Sequence, residues 1–260
     1  MSILDRFRLD GKRLLITGAS RGLGRSMALA MADAGADVVL VSRDAERLEQ
    51  TASEIRALGR DATAIAADLS APTTCEELAR RALDEFNRID ILVNNVGGRT
   101  ENIPLAEQTL EQWRRLMDLN LTSAFVLMRE IGGAMVRQAQ GGRIINIASI
   151  NSFVVGRNIG GRHYETAKAA MMQLTRAAAV DWAPHGITVN AICPGPFMTD
   201  ANLRWKREYP DMIEGILKLI PVGAYGEPDD LGPLAVYLAS DASRFMTGAA
   251  LVIDGGYTLS

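Results

Sequence analysis

Short apolar runs alternate with longer amphipathic stretches along the 260-residue chain. Arg13 to Thr17, Asp37 to Val41, Ala62 to Ala67, Ile89 to Val93, Arg143 to Ala148, Thr188 to Ile192 and Ala250 to Ile253 read as strands. Several are almost wholly apolar, which is expected of strands covered on both faces. Gly22 to Ala34, Asp44 to Leu58, Thr74 to Phe86, Leu110 to Arg137, Arg162 to Trp182 and Pro228 to Ser240 read as helices. This alternation predicts an α/β fold, a Rossmann-like doubly wound parallel sheet with right-handed crossovers. No internal repeat, low-complexity linker or composition break appears, so a single domain over 1–260 is expected. The stretch 197–226 interrupts the alternation and carries Trp205, Tyr209 and Pro210, which reads as a small helical substrate flap.

Charge narrows the function classes. Lys and Arg number 28 against 31 Asp and Glu, a formal net charge of -3, so nucleic acid is not expected as a partner. Cys75 and Cys193 lie far apart without CxxC spacing, which argues against a disulfide framework or zinc site and fits a reducing compartment. No metal is expected. The stretch Met1 to Lys12 lacks an apolar signal core, and no apolar run is long enough to span a bilayer. A cytoplasmic protein that does not bind membranes is expected.

The first predicted strand runs into Thr17-Gly18-Ala19-Ser20-Arg21-Gly22-Leu23-Gly24. A tight strand-to-helix turn of this kind needs residues without a Cβ, so that backbone can approach a pyrophosphate. The helix beginning near Gly22 then offers free N–H groups and a positive dipole end to phosphates. The plainer reading, a simple connection, is made less attractive by the position at the first strand–helix junction. Enzymes that bind NAD usually place an acid at the end of the second strand to hold the ribose hydroxyls. Here that strand ends in Ser42-Arg43, and Arg43 with Arg21 could grip a 2′-phosphate. The expected cofactor is NADP(H), with NAD(H) as the second choice.

One Tyr-x-x-x-Lys, Tyr164-Glu165-Thr166-Ala167-Lys168, falls on a predicted helix, where residues four apart share a face. An ammonium near a phenol favours the phenolate and lowers its pKa from about 10, so that the tyrosine can act as acid or base. The strand before it delivers Ser149 at its C-terminal end, where ligands of open α/β sheets sit. A serine hydroxyl there can hydrogen-bond a carbonyl or alcohol oxygen.

Taken in order, the glycine turn, Asp68-Leu69, Asn94-Asn95-Val96-Gly97, Asn120, Ser149, Tyr164, Lys168, Cys193-Pro194-Gly195 and the final Ile253-Asp254-Gly255-Gly256-Tyr257 resemble the short-chain dehydrogenase/reductase family over nearly the whole chain. The resemblance implies a seven-stranded sheet and a homotetramer. It implies cofactor contacts at Gly18, Ser20, Arg21, Gly22, Leu23, Gly24, Ser42, Arg43, Asp68, Leu69, Asn95, Val96 and Gly97. Tyr164, Lys168, Pro194, Gly195, Phe197 and Thr199 would complete that set, the last four closing over the nicotinamide amide. Asn120, Ser149, Tyr164 and Lys168 would be catalytic, with Asn120 kinking its helix and holding a water of a proton relay through Lys168. The implied reaction interconverts a carbonyl and a secondary alcohol on a small molecule. The whole-chain pattern is similar to gluconate-type sugar-acid dehydrogenases and to 3-oxoacyl carrier-protein reductases alike. A non-catalytic, dinucleotide-sensing protein on the same fold is the alternative.

The chain departs from the family pattern in three places. Val96 stands where alanine is common, Gly98-Arg99 follows, and the interval from Ser149 to Tyr164 is about two residues longer than usual. Ser152 therefore competes with Ser149, which is preferred because it directly ends its strand. Arg99, with Arg157, Arg162 and His163 in the lengthened loop, would surround the reacting end with positive charge and favour a carboxylated or phosphorylated substrate. The alternative is that these arginines face solvent or pair with Glu101 or Glu165.

Overall fold

The computed structural model describes residues 2–156 and 160–259. The described residues form a seven-stranded sheet of β1 (Arg13–Thr17), β2 (Asp37–Ser42), β3 (Ala62–Ala66), β4 (Ile91–Asn94), β5 (Gly142–Ile147), β6 (Ile187–Pro194) and β7 (Ala250–Ile253). The strand order is β3-β2-β1-β4-β5-β6-β7, and every neighbouring pair is parallel. The expected strands are all present, with ends moved by a residue or two. The largest extension is in β6, whose pairing continues through Cys193↔Val252 and Pro194↔Ile253.

Alternate side chains of one strand feed different cores, which explains why the strand sequences are apolar without alternation. Leu14 and Ile16 of β1 pack with Met27, Met31 and Leu238 on one face. Leu15, between them, packs with Leu92, Ile131 and Val189 on the other. The sheet is thus covered on both faces, and the residues just beyond its strands' C-terminal ends are left to form a site.

The flanking helices are α1 (Gly22–Asp33), α2 (Ala45–Ala57), α3 (Pro72–Phe86), α4 (110–138), α5 (Arg162–Trp182), α6 (Asp200–Glu208), α7 (Pro210–Leu217) and α8 (Gly232–Ala239). Asp44 caps α2 by accepting from the Arg47 amide at 3.2 Å. α3 starts two residues earlier than expected, at Pro72, where a missing N–H costs nothing. α4 is continuous but contains two π-helical turns, Asp118–Thr122 and Met128–Gly132. The region expected as a flap folds into α6 and α7. Among the described residues no helix is long and apolar enough to cross a membrane.

Candidate active site

A cleft of about 1150 Å³ runs past the C-terminal ends of β1 to β6. Its first wall is the glycine turn, from which Gly18, Ser20, Arg21, Gly22, Leu23 and Gly24 all line the cleft. Gly18 has φ +69°, and its amide donates to Val41 O at 2.7 Å, turning the chain sharply off β1. The Asn95 side-chain amide donates to the carbonyls of Thr17 (2.9 Å) and Gly18 (3.2 Å). A Cβ on Gly18 would lie 2.7 Å from that amide nitrogen. The Thr17 hydroxyl in turn accepts from the amides of Asn95 and Val96, each at 3.0 Å, so the turns after β1 and β4 are locked together. α1 begins without a side-chain cap and without an acid in its first turn, which leaves its positive end open to an anion.

At the end of β2, Ser42 is buried and donates to Asp44 O at 3.3 Å. Arg43 is exposed and stands 3.9 Å from Asp68, whose other carboxylate oxygen accepts from the Ser70 amide at 3.0 Å. Leu69 lines the cleft beside Asp68. Arg21 has no carboxylate partner among the described residues.

The opposite end is built by β5, β6 and α5. Ser149 follows β5 in extended backbone, and its hydroxyl accepts from the Asn151 amide at 3.1 Å. Ser149, Tyr164 and Lys168 all line the cleft, whereas Ser152 does not. Lys168 is 3% exposed and donates from Nζ to Ile147 O at 2.7 Å. Burial pushes its pKa down to about 8. Its Nζ lies 5.9 Å from the centroid of the Tyr164 ring.

The expected electrostatics of this pair need correction. Burial raises the Tyr164 phenol above its ordinary value, and the Ser149 hydroxyl and the Arg99 guanidinium act against that rise. The ammonium of Lys168 is held on the Ile147 carbonyl, and Arg99 is a second cation that bears on the phenol.

Asn120 sits in the first π turn of α4, fully buried behind the loop after β4. Its Oδ1 accepts from the Gly98 amide at 2.8 Å, and its Nδ2 donates to Gly98 O and Leu116 O at 3.2 and 3.1 Å. A Cβ on Gly97, at φ +152°, would stand 2.6 Å from Asn120 Oδ1 and 3.1 Å from Lys168 Nζ. Asn95, Val96 and Gly97 line the cleft, but Asn120 lies one layer behind it.

At and beyond the end of β6, Pro194, Gly195 and Thr199 face the cleft, but Phe197 does not. Phe197 is 4% exposed and belongs to the core, and its ring lies against Gly226, to which it is bridged. The Phe197 ring is therefore apolar surface removed from water into the core.

The expected ring of free cations is also corrected. Arg99 donates to Glu165 at 3.2 Å and to the carbonyls of Gly160 and Gly161. Arg162 donates to both oxygens of the same carboxylate, at 3.0 and 3.2 Å, and to Gly156 O. A buried carboxylate needs compensating cations, and Glu165 recruits both arginines. His163 is fully buried, which lowers its pKa. Arg157 lies outside the described residues.

The sequence reading missed Asp200, Leu203, Arg204 and Arg207 of α6, which close the cleft from the flap. Their spacing was the available signal, since these four positions share one face of a helix. Arg47 was also missed. It lines the cleft and is paired with Asp44 and with Asp200 of α6, at 3.6 and 3.3 Å.

Comparison with known proteins gives a consistent picture. The family model described as enoyl-(acyl carrier protein) reductase, of the short-chain dehydrogenase/reductase type, matches residues 18–258. A 2-dehydro-3-deoxy-D-gluconate 5-dehydrogenase of Pseudoalteromonas atlantica is 41% identical over 256 residues, 98% of this chain and 99% of the relative. The crystal structure of a short-chain type dehydrogenase/reductase from Mycobacterium marinum superposes with a TM-score of 0.93 at 39% identity, covering all of both chains. That of a 3-oxoacyl (acyl-carrier-protein) reductase from Agrobacterium tumefaciens, with NADP bound, gives 0.92 at 31% identity over 99% of this chain and 98% of the other.

Proposed function

The chain belongs to the short-chain dehydrogenase/reductase family of oxidoreductases, and from that premise we propose that it interconverts a ketone and a secondary alcohol on a small acidic substrate with NADP(H). The observation that carries the reading is the convergence of Ser149, Tyr164 and Lys168 on one end of a cleft whose other end is the glycine turn.

The residues present fit a dinucleotide. The glycine turn and the uncapped start of α1 would hold the pyrophosphate, and Asp68 and Leu69 would flank the adenine. Asn95, Val96, Gly97, Pro194, Gly195 and Thr199 would line the nicotinamide end. Arg21 and Arg43 would meet a 2′-phosphate, which favours NADP(H) over NAD(H). When bound, the nicotinamide supplies or accepts the hydride.

The chain's own groups then carry the proton and the orientation. Ser149 and Tyr164 bind the reacting oxygen through their hydroxyls. Tyr164 gives its phenolic proton to that oxygen in reduction and takes it back in oxidation. Lys168 holds the ribose hydroxyls and keeps its ammonium beside the phenol. Asn120, behind Gly97 and Gly98, would hold a water that links Lys168 to solvent.

The name of the Pseudoalteromonas relative supports a keto sugar acid as substrate. With Arg99 and Arg162 paired internally, an acidic group would find its cations on the flap, at Arg204 and Arg207. A 3-oxoacyl thioester is the second reading, favoured by the likeness to the Agrobacterium reductase. The free, buried thiols of Cys75 and Cys193 accord with a cytoplasmic protein. Phe125 on α4, Val180 on α5 and Phe245 near the C-terminus are exposed apolar residues that a homotetramer would cover, and sedimentation at four chain masses checks this. The functional test is loss of reduced-cofactor absorbance with NADPH and NADH against keto sugar acids, 3-oxoacyl thioesters and neutral ketones. Fastest turnover is expected for NADPH with a keto sugar acid. Binding of NADPH without turnover of any carbonyl would favour a cofactor-sensing protein instead.

A further inference from the structure

We propose that Arg99 is a positioning residue for Tyr164: its guanidinium packs on the phenol ring and, anchored to Gly160, Gly161 and Glu165, holds that ring in place and sets a fixed positive charge against it. This inference rests on the reading of Tyr164 as the acid–base group. The Arg99 guanidinium carbon lies 4.9 Å from the ring centroid, closer than the 5.9 Å of Lys168 Nζ. A guanidinium over an aromatic face is attracted by the ring, and more strongly where water is excluded. The Arg99 side chain is 12% exposed, and that of its partner Glu165 is 8% exposed.

Every part of Arg99 is fixed. Its backbone follows Gly98, which Asn120 grips by both amide and carbonyl. Its guanidinium donates to the carbonyls that lead into α5, directly before Tyr164. Glu165 accepts from Arg99, from Arg162 and from the Gly156 amide, so the carboxylate is held from three sides. Two arginines against one carboxylate leave the cluster with a net positive charge. The lengthened loop before Tyr164 is thereby tied to the loop after β4 through the same ion cluster.

Among the described groups around the phenol, Arg99 and Lys168 are the two that carry positive charge. Ser149 faces it from the end of β5, Cys193 from β6 and Lys168 from its own helix. Ser149 is neutral, and burial pushes the Cys193 thiol up to about 11, so it carries no charge near neutral pH. His163, next to Tyr164, is held below the usual imidazole range by its burial. A cation beside the ring favours the deprotonated phenol, which is the form required to take a proton from an alcohol.

The test is the pH dependence of kcat for alcohol oxidation by the NADP-loaded enzyme, in wild type, Arg99→Met, Arg99→Lys, Glu165→Gln and Tyr164→Phe. Arg99→Met should move the midpoint of the rising limb up by about one pH unit or more, and Arg99→Lys should return it towards wild type. Glu165→Gln removes a negative charge from the cluster and should move the midpoint down. A purely structural clamp would lower the amplitude of kcat in Arg99→Met and Glu165→Gln alike without moving their midpoints in opposite directions, and that result would overturn the proposal. An unmoved limb in Arg99→Met, with the limb lost in Tyr164→Phe, would overturn the role of Arg99 alone. A limb retained in Tyr164→Phe would instead overturn the reading of Tyr164, and the role of Arg99 with it.

Discussion

The two ends of the cleft treat charge in opposite ways. At the dinucleotide end, Arg43 and Asp68 are 72% and 52% exposed and 3.9 Å apart, a loose pair in water. At the reacting end, Arg99 and Glu165 are 12% and 8% exposed, and the carboxylate is gripped from several sides. Exposed pairs contribute little and rearrange readily, whereas a buried charge deprived of its partner is costly. The first end can therefore adapt to a cofactor phosphate, while the second holds one arrangement. Substitutions at the two ends should differ in size accordingly.

The largest effect is expected at Lys168. Lys168→Met should lower turnover by about 10²–10⁴-fold and also weaken cofactor binding, because on the proposed reading the ammonium would stand beside the phenol and hold the ribose. Its titration also links pH to stability. The folded-state pKa of about 8 lies below the ordinary 10.5, so between those values the unfolded chain holds a proton that the folded chain lacks. Wild-type stability should therefore rise with pH through that window relative to Lys168→Met, by on the order of 3 kcal/mol at most. Denaturant unfolding of both proteins at several pH values checks this, and parallel pH curves would contradict it.

A smaller change is expected at the solvated end. Arg43→Ala should weaken NADPH binding by about tenfold and leave NADH binding almost unaltered, since only NADPH carries the additional phosphate. Raising the salt concentration should shrink the difference, because both Arg43 and its partner are exposed to screening ions. Equal losses for the two cofactors would mean that the two ends of the cleft are not specialised in this way.

The same contrast explains what could be read before the structure. The seven strands were legible because burial on both faces leaves apolar runs with few other interpretations. The glycine turn was legible because its backbone geometry tolerates few residues. Phe197 was not, because its bridge to Gly226, which turns its ring into the core, depends on a residue far along the chain. The Arg162–Glu165 pair lies within one helical turn, and Glu165 was already an available partner in the sequence. The reach of Arg99 to the same carboxylate spans 66 positions and exists only once β4 and α5 are packed. The cleft-facing side of α6 was marked by its spacing, but nothing local showed which way that helix would lie.

The central claim is that Tyr164 carries the proton at the reacting end while the dinucleotide end binds independently. It is tested most directly by measuring kcat and the NADPH Kd of Tyr164→Phe on whichever ketone the wild-type protein reduces. The account predicts a loss of about 10²–10⁴-fold in kcat with a Kd within about twofold of wild type. Turnover near the wild-type rate in Tyr164→Phe would contradict it.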